Sequence, residues 1–299
     1  MNVRFGDEVI PVSGGVMPAR SPAGTITAEI PYLRSELRSV QVEYDSRILD
    51  ERTVERRAMP VRDGRTAAVP PSLAREGLEL VSSPSRIARE RLDELVARKP
   101  LLTMRQIEFD YWAETIPVVR ARSGARDVLP LHASTVRYSE KADRDGMMTP
   151  AGWAHLDYDA DEAAVQLHET LERNPREVAP FSRYVLYQTW RVLSDPPQDF
   201  PLAICDWRTV ASADIVPLVY HVGTDGSDVT YRSQGSRYSD RHDWWYFPDL
   251  TIDDLLLFVG FDSSRPDVPS SLHVSFEDPT VDDPVPRASI ETRFFGLFD

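Results

Sequence analysis

The sequence predicts a mainly β protein with flanking helices, built on a double-stranded β-helix (jelly-roll) core. Three observations carry that expectation. From Asp127 onward, short strand-like runs follow one another between turn residues. Helical spacing is confined to residues 83–123 and to one stretch after Asp159. The 24 prolines outnumber 14 glycines, which suits rigid turns between short strands. At 299 residues the chain is long for an average domain, yet large sandwiches and barrels reach this size as one unit. Residues 1–299 are therefore read as a single domain: an irregular wrapping segment (1–82), buttressing helices (83–123) and the jelly-roll core (124–299).

The wrapping segment is rich in Pro, Gly and Arg and carries short strand-like pieces such as Thr25 to Ile30. Ser83-Pro84 then offers an N-cap and a proline at the first helical position. Ala88, Leu92, Leu95 and Val96 fall on one face of a helix that stops at Pro100. Thr103 to Gln106 fits a capping box for a second helix with Met104, Ile107 and Tyr111 inward, which Pro117 should kink or end. In the core, Leu186, Gln188, Trp190 and Val192 alternate with Tyr187, Thr189 and Arg191. Further runs are Pro201 to Trp207, Ile215 to Val222, Val229 to Arg232 and Leu255 to Phe261. One helix interrupts them, with Ala163, Ala164, Leu167 and Leu171 at helical spacing after Asp159 or Asp161. No internal repeat or low-complexity tract is present.

A net charge of −14 argues against a nucleic-acid partner, because phosphate contacts need a basic face. Arg52, Arg56, Arg57, Arg62 and Arg65 are dense but interleaved with Asp50, Glu51, Glu55 and Asp63, the usual mixture of a solvated surface. Cys205 is the single cysteine and lies in the apolar run from Leu202, so a buried thiol is expected and no internal disulfide. Met1 to Glu8 lacks the apolar stretch of a signal peptide, and the longest apolar run, Leu255 to Phe261, is too short to span a bilayer. A cytoplasmic protein without a membrane partner is the expectation; a homodimer stays open.

The chemistry is concentrated in three short segments. In His155-Leu156-Asp157, alternate side chains of an extended strand point the same way, so His155 and Asp157 can grip one metal from adjacent corners. A distant His273 would complete a face of two imidazoles and one carboxylate and leave the opposite positions open, a set that suits iron(II). Arg287 and Ser289, 287 − 273 = 14 residues beyond His273, share one face of the next strand-like run. There a guanidinium fork and a hydroxyl can anchor a carboxylate such as the distal one of 2-oxoglutarate. His132, His221 and His242 remain alternative metal ligands. A zinc hydrolase would need a closer cluster, such as a helical His pair, and no nucleophile-elbow motif supports Ser-His-Asp catalysis.

These residues lie in stretches that resemble a known family. Gly124-Ala125, Pro150-Ala151-Gly152-Trp153-Ala154-His155-Leu156-Asp157-Tyr158, Trp190-Arg191, Pro201 to Asp206, Trp245-Tyr246-Phe247-Pro248-Asp249, Asp262-Ser263, His273 to Pro279 and Arg287 to Arg293 carry the match, with weaker similarity in Glu76 to Val81. Together they are similar to the AsaB/CmcJ-like hydroxylase/desaturase family of the non-haem iron(II)/2-oxoglutarate-dependent dioxygenases. The resemblance implies that His155, Asp157 and His273 are the catalytic iron ligands and that Arg287 and Ser289 hold 2-oxoglutarate. It departs at Gln188, where the family usually has Asn, and at Val259, where a basic residue is common.

The expected function is an iron(II)/2-oxoglutarate-dependent oxygenase that uses O2 to hydroxylate, desaturate or oxidatively cyclise a small specialised metabolite. The competing expectation is a non-catalytic jelly-roll accessory protein assisting a partner enzyme. Tyr158, Tyr187, Trp190 and Arg191 are the candidate substrate-binding residues, with Trp153, Trp244 and Trp245 as further aromatic walls.

Overall fold

Strand alternation decides which side chains can meet between two layers, and here it sorts the chain onto two sheets. The computed structural model describes residues 24–43, 52–97, 103–142, 148–149, 151–174, 176–224 and 227–299. The first part of the wrapping segment (1–23), the helix stop at Pro100 and Pro150 lie outside the described residues. The described strands are β1 (Thr25–Leu33), β2 (Val40–Glu43), β3 (Val54–Asp63), β4 (Leu78–Ser82), β5 (Asp127–Pro130), β6 (Thr135–Tyr138), β7 (His155–Leu156), β8 (Arg183–Val192), β9 (Leu202–Cys205), β10 (Ile215–Thr224), β11 (Ser227–Ser236), β12 (Trp244–Tyr246), β13 (Asp254–Asp262), β14 (His273–Ser275) and β15 (Ala288–Phe298). The described helices are α1 (Arg86–Glu90), α2 (Leu92–Val96), α3 (Gln106–Ser123) and α4 (Ala160–Arg173).

The larger sheet runs β1-β3-β12-β9-β14-β7-β11-β10-β2, and the smaller runs β4-β13-β8-β15-β5 with β6 also paired to β15. In the smaller sheet Glu291 pairs with Trp190 and Arg293 with Gln188, so the odd residues of β15 share a face with the even residues of β8. That face looks at the larger sheet: Trp190, Val192, Leu256 and Phe258 pack with Leu202, Ile204 and Trp245 across the gap. The opposite face, with Tyr187, Leu257, Val259, Ile290 and Phe294, packs on Ile87, Leu95, Ile107, Tyr111, Trp112 and Val119 of the helical layer. Each such fully buried side chain contributes about 1.5–3 kcal/mol.

Of the two helices expected in this zone, the first is divided in two and the second runs on past its expected break. Ser85, not Ser83, is the cap: its Oγ accepts the Ala88 N–H at 3.0 Å and donates to Glu114 at 2.8 Å. Arg91 leaves helical geometry (φ −127°, ψ 33°) and its guanidinium reaches Asp110 at 2.6 Å and Glu94 at 2.7 Å, so α1 and α2 are separate. Glu108 closes the start of α3 by accepting the Arg105 N–H at 2.9 Å, while Met104 is 42% exposed instead of inward. The helix also runs through Pro117 to Gly124, whose φ of 72° is the left-handed stop that glycine favours. Burial of Tyr111, Trp112, Thr115 and Val119 around the proline outweighs its cost of about 3 kcal/mol. Of the two candidate caps for α4, Asp159 is used, accepting the Glu162 N–H at 2.8 Å.

Candidate metal centre

β7 lies between β14 and β11 in the middle of the larger sheet, and His155 stands directly opposite His273. Opposed residues project from the same face, and the two rings lie 4.3 Å apart. His155 Nδ1 meets the Trp153 carbonyl at 2.8 Å and His273 Nδ1 meets the Ser271 carbonyl at 3.4 Å. A carbonyl only accepts, so each proton sits on Nδ1 and both Nε2 lone pairs are turned to a common space. Asp157 follows just past β7, with Oδ1 3.5 Å from His155 Nε2 and Oδ2 4.0 Å from His273 Nε2. One potential ligand atom from each of the three buried residues lies within 4.8 Å of the others, the one such group among the described residues.

The electrostatics suit a divalent metal. Burial, reinforced by His155, holds the His273 imidazolium down to about 4, so the ring is neutral near pH 7. Burial also pushes the Asp157 carboxyl upward, but Arg293 and the two histidines outweigh it and hold it well below the ordinary carboxylate range. Neutral imidazoles and a carboxylate are the forms in which a metal takes these ligands. Two nitrogens and one oxygen with an open side are the donor set of a non-haem iron(II) centre.

Arg287 and Ser289 lie on the smaller sheet, on the face that looks at this cluster. Arg287 is 1% exposed, its Nη1 donates to Ser289 Oγ, and its Nε and Nη2 have no partner. Burial and the neighbouring Arg137 depress it to about 10. Trp190 lies 5.6 Å from its Cζ. The unpartnered Nε–Nη2 edge is a two-pronged donor that matches a carboxylate, so these residues fit 2-oxoglutarate as they fit iron(II).

The structure brings His155, Asp157, His273, Arg287, Ser289 and Trp190 to the space between the sheets. Tyr158 sits beside it, with its hydroxyl 3.0 Å from His132 Nε2 and its ring 5.9 Å from Arg293 Cζ. Tyr187 and Arg191 are not brought there, because alternation along β8 turns them to the helical layer. Arg191 donates to Tyr111 at 3.0 Å, to the Ser83 carbonyl at 2.7 Å and to the Ile252 carbonyl. Arg191→Met is thus expected to cost about 2–4 kcal/mol in denaturant unfolding while leaving 2-oxoglutarate affinity within about twofold. Weakened 2-oxoglutarate binding at unchanged stability would return Arg191 to the pocket. Trp244 faces away as well, bonded to Tyr32 at 2.7 Å, whereas Trp245 faces the smaller sheet.

The alternative histidines do not join the cluster. His132 is held by the Ala133 carbonyl and Tyr158, His221 meets Gln41 at 2.7 Å, and His242 meets Tyr32 at 3.2 Å. Three residues at the site were not among the predicted site residues. Arg293 grips Asp157 Oδ2 through Nε at 2.9 Å and Nη2 at 2.6 Å, and Glu291 bridges Arg293 at 3.1 Å to Arg137 at 3.2 Å. For Glu291 and Arg293 the signal was available, since 287, 289, 291 and 293 share one parity; Arg137 carried none.

Comparison with known proteins places this geometry in a family. A family profile described as "Oxidoreductase/YMDC permease-like domain" matches residues 31–297. The Fe(II)/2-oxoglutarate-dependent dioxygenase nvfI of Aspergillus novofumigatus is 30% identical over 212 residues, 71% of this chain and 71% of that protein. The hydroxylase/desaturase efuI of Hormonema carpetanum is 24% identical over 241 residues, 74% of this chain and 77% of that protein. A solved structure of the iron and alpha-ketoglutarate-dependent endoperoxidase NvfI has a TM-score of 0.70 at 23% identity, covering 92% of this chain and 98% of that one, and shares the jelly-roll fold. These relatives carry enzyme names, and the non-catalytic accessory reading finds no support among them. With a profile spanning nearly the whole chain and relatives of one kind, the chain belongs to that oxidoreductase family and, within it, to the hydroxylase/desaturase group of non-haem iron(II)/2-oxoglutarate-dependent dioxygenases.

Proposed function

We propose that His155, Asp157 and His273 hold iron(II), and that Arg287 and Ser289 seat the distal carboxylate of 2-oxoglutarate. The chain then uses dioxygen to hydroxylate, desaturate or oxidatively cyclise a small specialised metabolite. The observation that carries this reading is the buried, half-unpartnered Arg287 facing the metal cluster from the other sheet. A buried cation without a partner is costly, and such a group persists where a ligand anion completes it. Bound iron(II) supplies the coupling of 2-oxoglutarate decarboxylation to substrate oxidation by dioxygen; the chain's own residues bind, orient and exclude water. Ser289 fixes the guanidinium plane, and Ile204, Trp245, Leu256 and Phe258 keep the gap apolar. Trp190 and Tyr158 are the candidate substrate contacts that lie at the site.

Reaction class can be tested without the substrate, because enzymes of this kind slowly consume 2-oxoglutarate unaided. Protein with iron(II), ascorbate and oxygen-18 gas should release succinate carrying one labelled oxygen, and Asp157→Ala should fall to the metal-only background. Equal rates for the wild type and Asp157→Ala would remove the oxygenase reading, since the metal would then act from elsewhere.

A further inference from the structure

We infer that Arg293 is a positioning residue of the metal centre: it occupies one oxygen of the Asp157 carboxylate so that only the other can bind metal. The inference rests on His155, Asp157 and His273 holding the ion. Both prongs, Nε at 2.9 Å and Nη2 at 2.6 Å, converge on Oδ2. Oδ1 takes neither prong and lies 3.5 Å from His155 Nε2. Two charge-assisted N–H bonds spend the lone pairs of Oδ2 and fix the carboxylate plane, which leaves Oδ1 as the single metal donor.

The consequence is the number of free positions. A carboxylate bound through one oxygen leaves a whole face of an octahedral ion open for small molecules. A carboxylate free to swing could chelate through both oxygens and close one of those positions. Arg293 itself is held in place: Nη2 also donates to Glu291 at 3.1 Å, and Glu291 accepts from Arg137 at 3.2 Å. Signs alternate along this row from Arg137 to Asp157. It crosses from the smaller sheet, which carries Glu291 and Arg293, to the larger, which carries the ligands. The Asp157 backbone is secured separately, its carbonyl accepting from the Tyr231 hydroxyl. Backbone and side chain of the ligand are therefore fixed by different groups, and among the described residues Arg293 is the one that sets which oxygen faces the metal.

The test is anaerobic titration with cobalt(II), a redox-stable probe whose visible spectrum reports coordination, on the wild type, Arg293→Lys, Arg293→Gln and the double variant Arg293→Gln/Glu291→Gln. Loss of a supporting group of this kind costs roughly 10–100-fold in metal affinity, the loss expected for Arg293→Gln together with a shifted cobalt spectrum. Lysine keeps the positive charge but lacks the fork, so Arg293→Lys should recover only part of the affinity and keep a shifted spectrum. The double variant removes one cation and one anion, so its thermal stability should return toward wild type while the spectrum stays shifted. Wild-type affinity and spectrum in Arg293→Lys, or a wild-type spectrum in the double variant, would overturn the proposal and leave Arg293 as a neutralising charge. Failure of the wild type to bind cobalt(II) or iron(II) would instead remove the metal assignment underneath it.

Discussion

Iron(II) added anaerobically with 2-oxoglutarate should give the wild-type protein the weak visible absorption of a 2-oxo acid chelated on iron, and His273→Ala should give none. The same loss is expected for His155→Ala and Asp157→Ala, because each removes one of the three donors in the only such cluster among the described residues. The drop in metal affinity should exceed the ~10–100-fold typical of losing a supporting group. The three variants should differ in stability. His273→Ala removes a neutral ring and leaves a cavity, whereas Asp157→Ala strips Arg293 of its closest anion, and breaking a buried pair from one side costs about 3–5 kcal/mol. His273→Ala is accordingly the clean test. A band of wild-type strength in that variant would disprove the assignment of His273.

Arg287→Met should raise the Michaelis constant for 2-oxoglutarate by on the order of 100-fold and at the same time stabilise the ligand-free protein by about 1–3 kcal/mol. The two signs have one origin. In the free protein the Nε–Nη2 edge of Arg287 is buried and unpartnered, so exchanging the guanidinium for an apolar side chain of similar length removes a desolvation cost. The same exchange removes the fork that a carboxylate would fill. Ligand should close or reverse this gap, because 2-oxoglutarate at ~100 times its dissociation constant adds about 2.7 kcal/mol to the wild type and only a few tenths to the variant. Arg287→Lys should fall between, having charge without the planar fork. Thermal unfolding with and without 2-oxoglutarate reads all of this. An unchanged Michaelis constant would move the anchor elsewhere, and a free variant less stable than wild type would show that Arg287 is already compensated.

The proposed pairs His155/Asp157 and Arg287/Ser289 could each be placed on one face from the sequence because each depends on a period of two within a short segment, and local parity survives folding; His273 carries no such local signal. The same rule extends from Arg287 and Ser289 to Glu291 and Arg293, which the structure places on the same face. β8 shows where the rule stops. Eight of its ten residues are buried, so polarity does not mark which parity faces the site, and Tyr187 and Arg191 were grouped with Trp190 although they face the helices. The break at Arg91 had no local signal either. It coincides with contacts to Asp110, and the cap at Ser85 is backed by Glu114, both partners from a helix that only the fold brings near.

His155 and His273 are neighbours in space but 273 − 155 = 118 residues apart in the chain, and Asp157 and Arg293 are 136 apart. Closing loops of that length is paid for before the contacts return anything, so the ligands can meet only late in folding. An intermediate holding the smaller sheet alone would have no place for the ion, and the larger sheet offers one only once β7 and β14 have paired, so iron cannot act as a template before that pairing. Metal occupancy becomes a gauge of whether the larger sheet has assembled. A substitution far from the centre that destabilises the sheet enough to populate the unfolded chain should lower iron loading even with every ligand intact, because only the folded fraction binds.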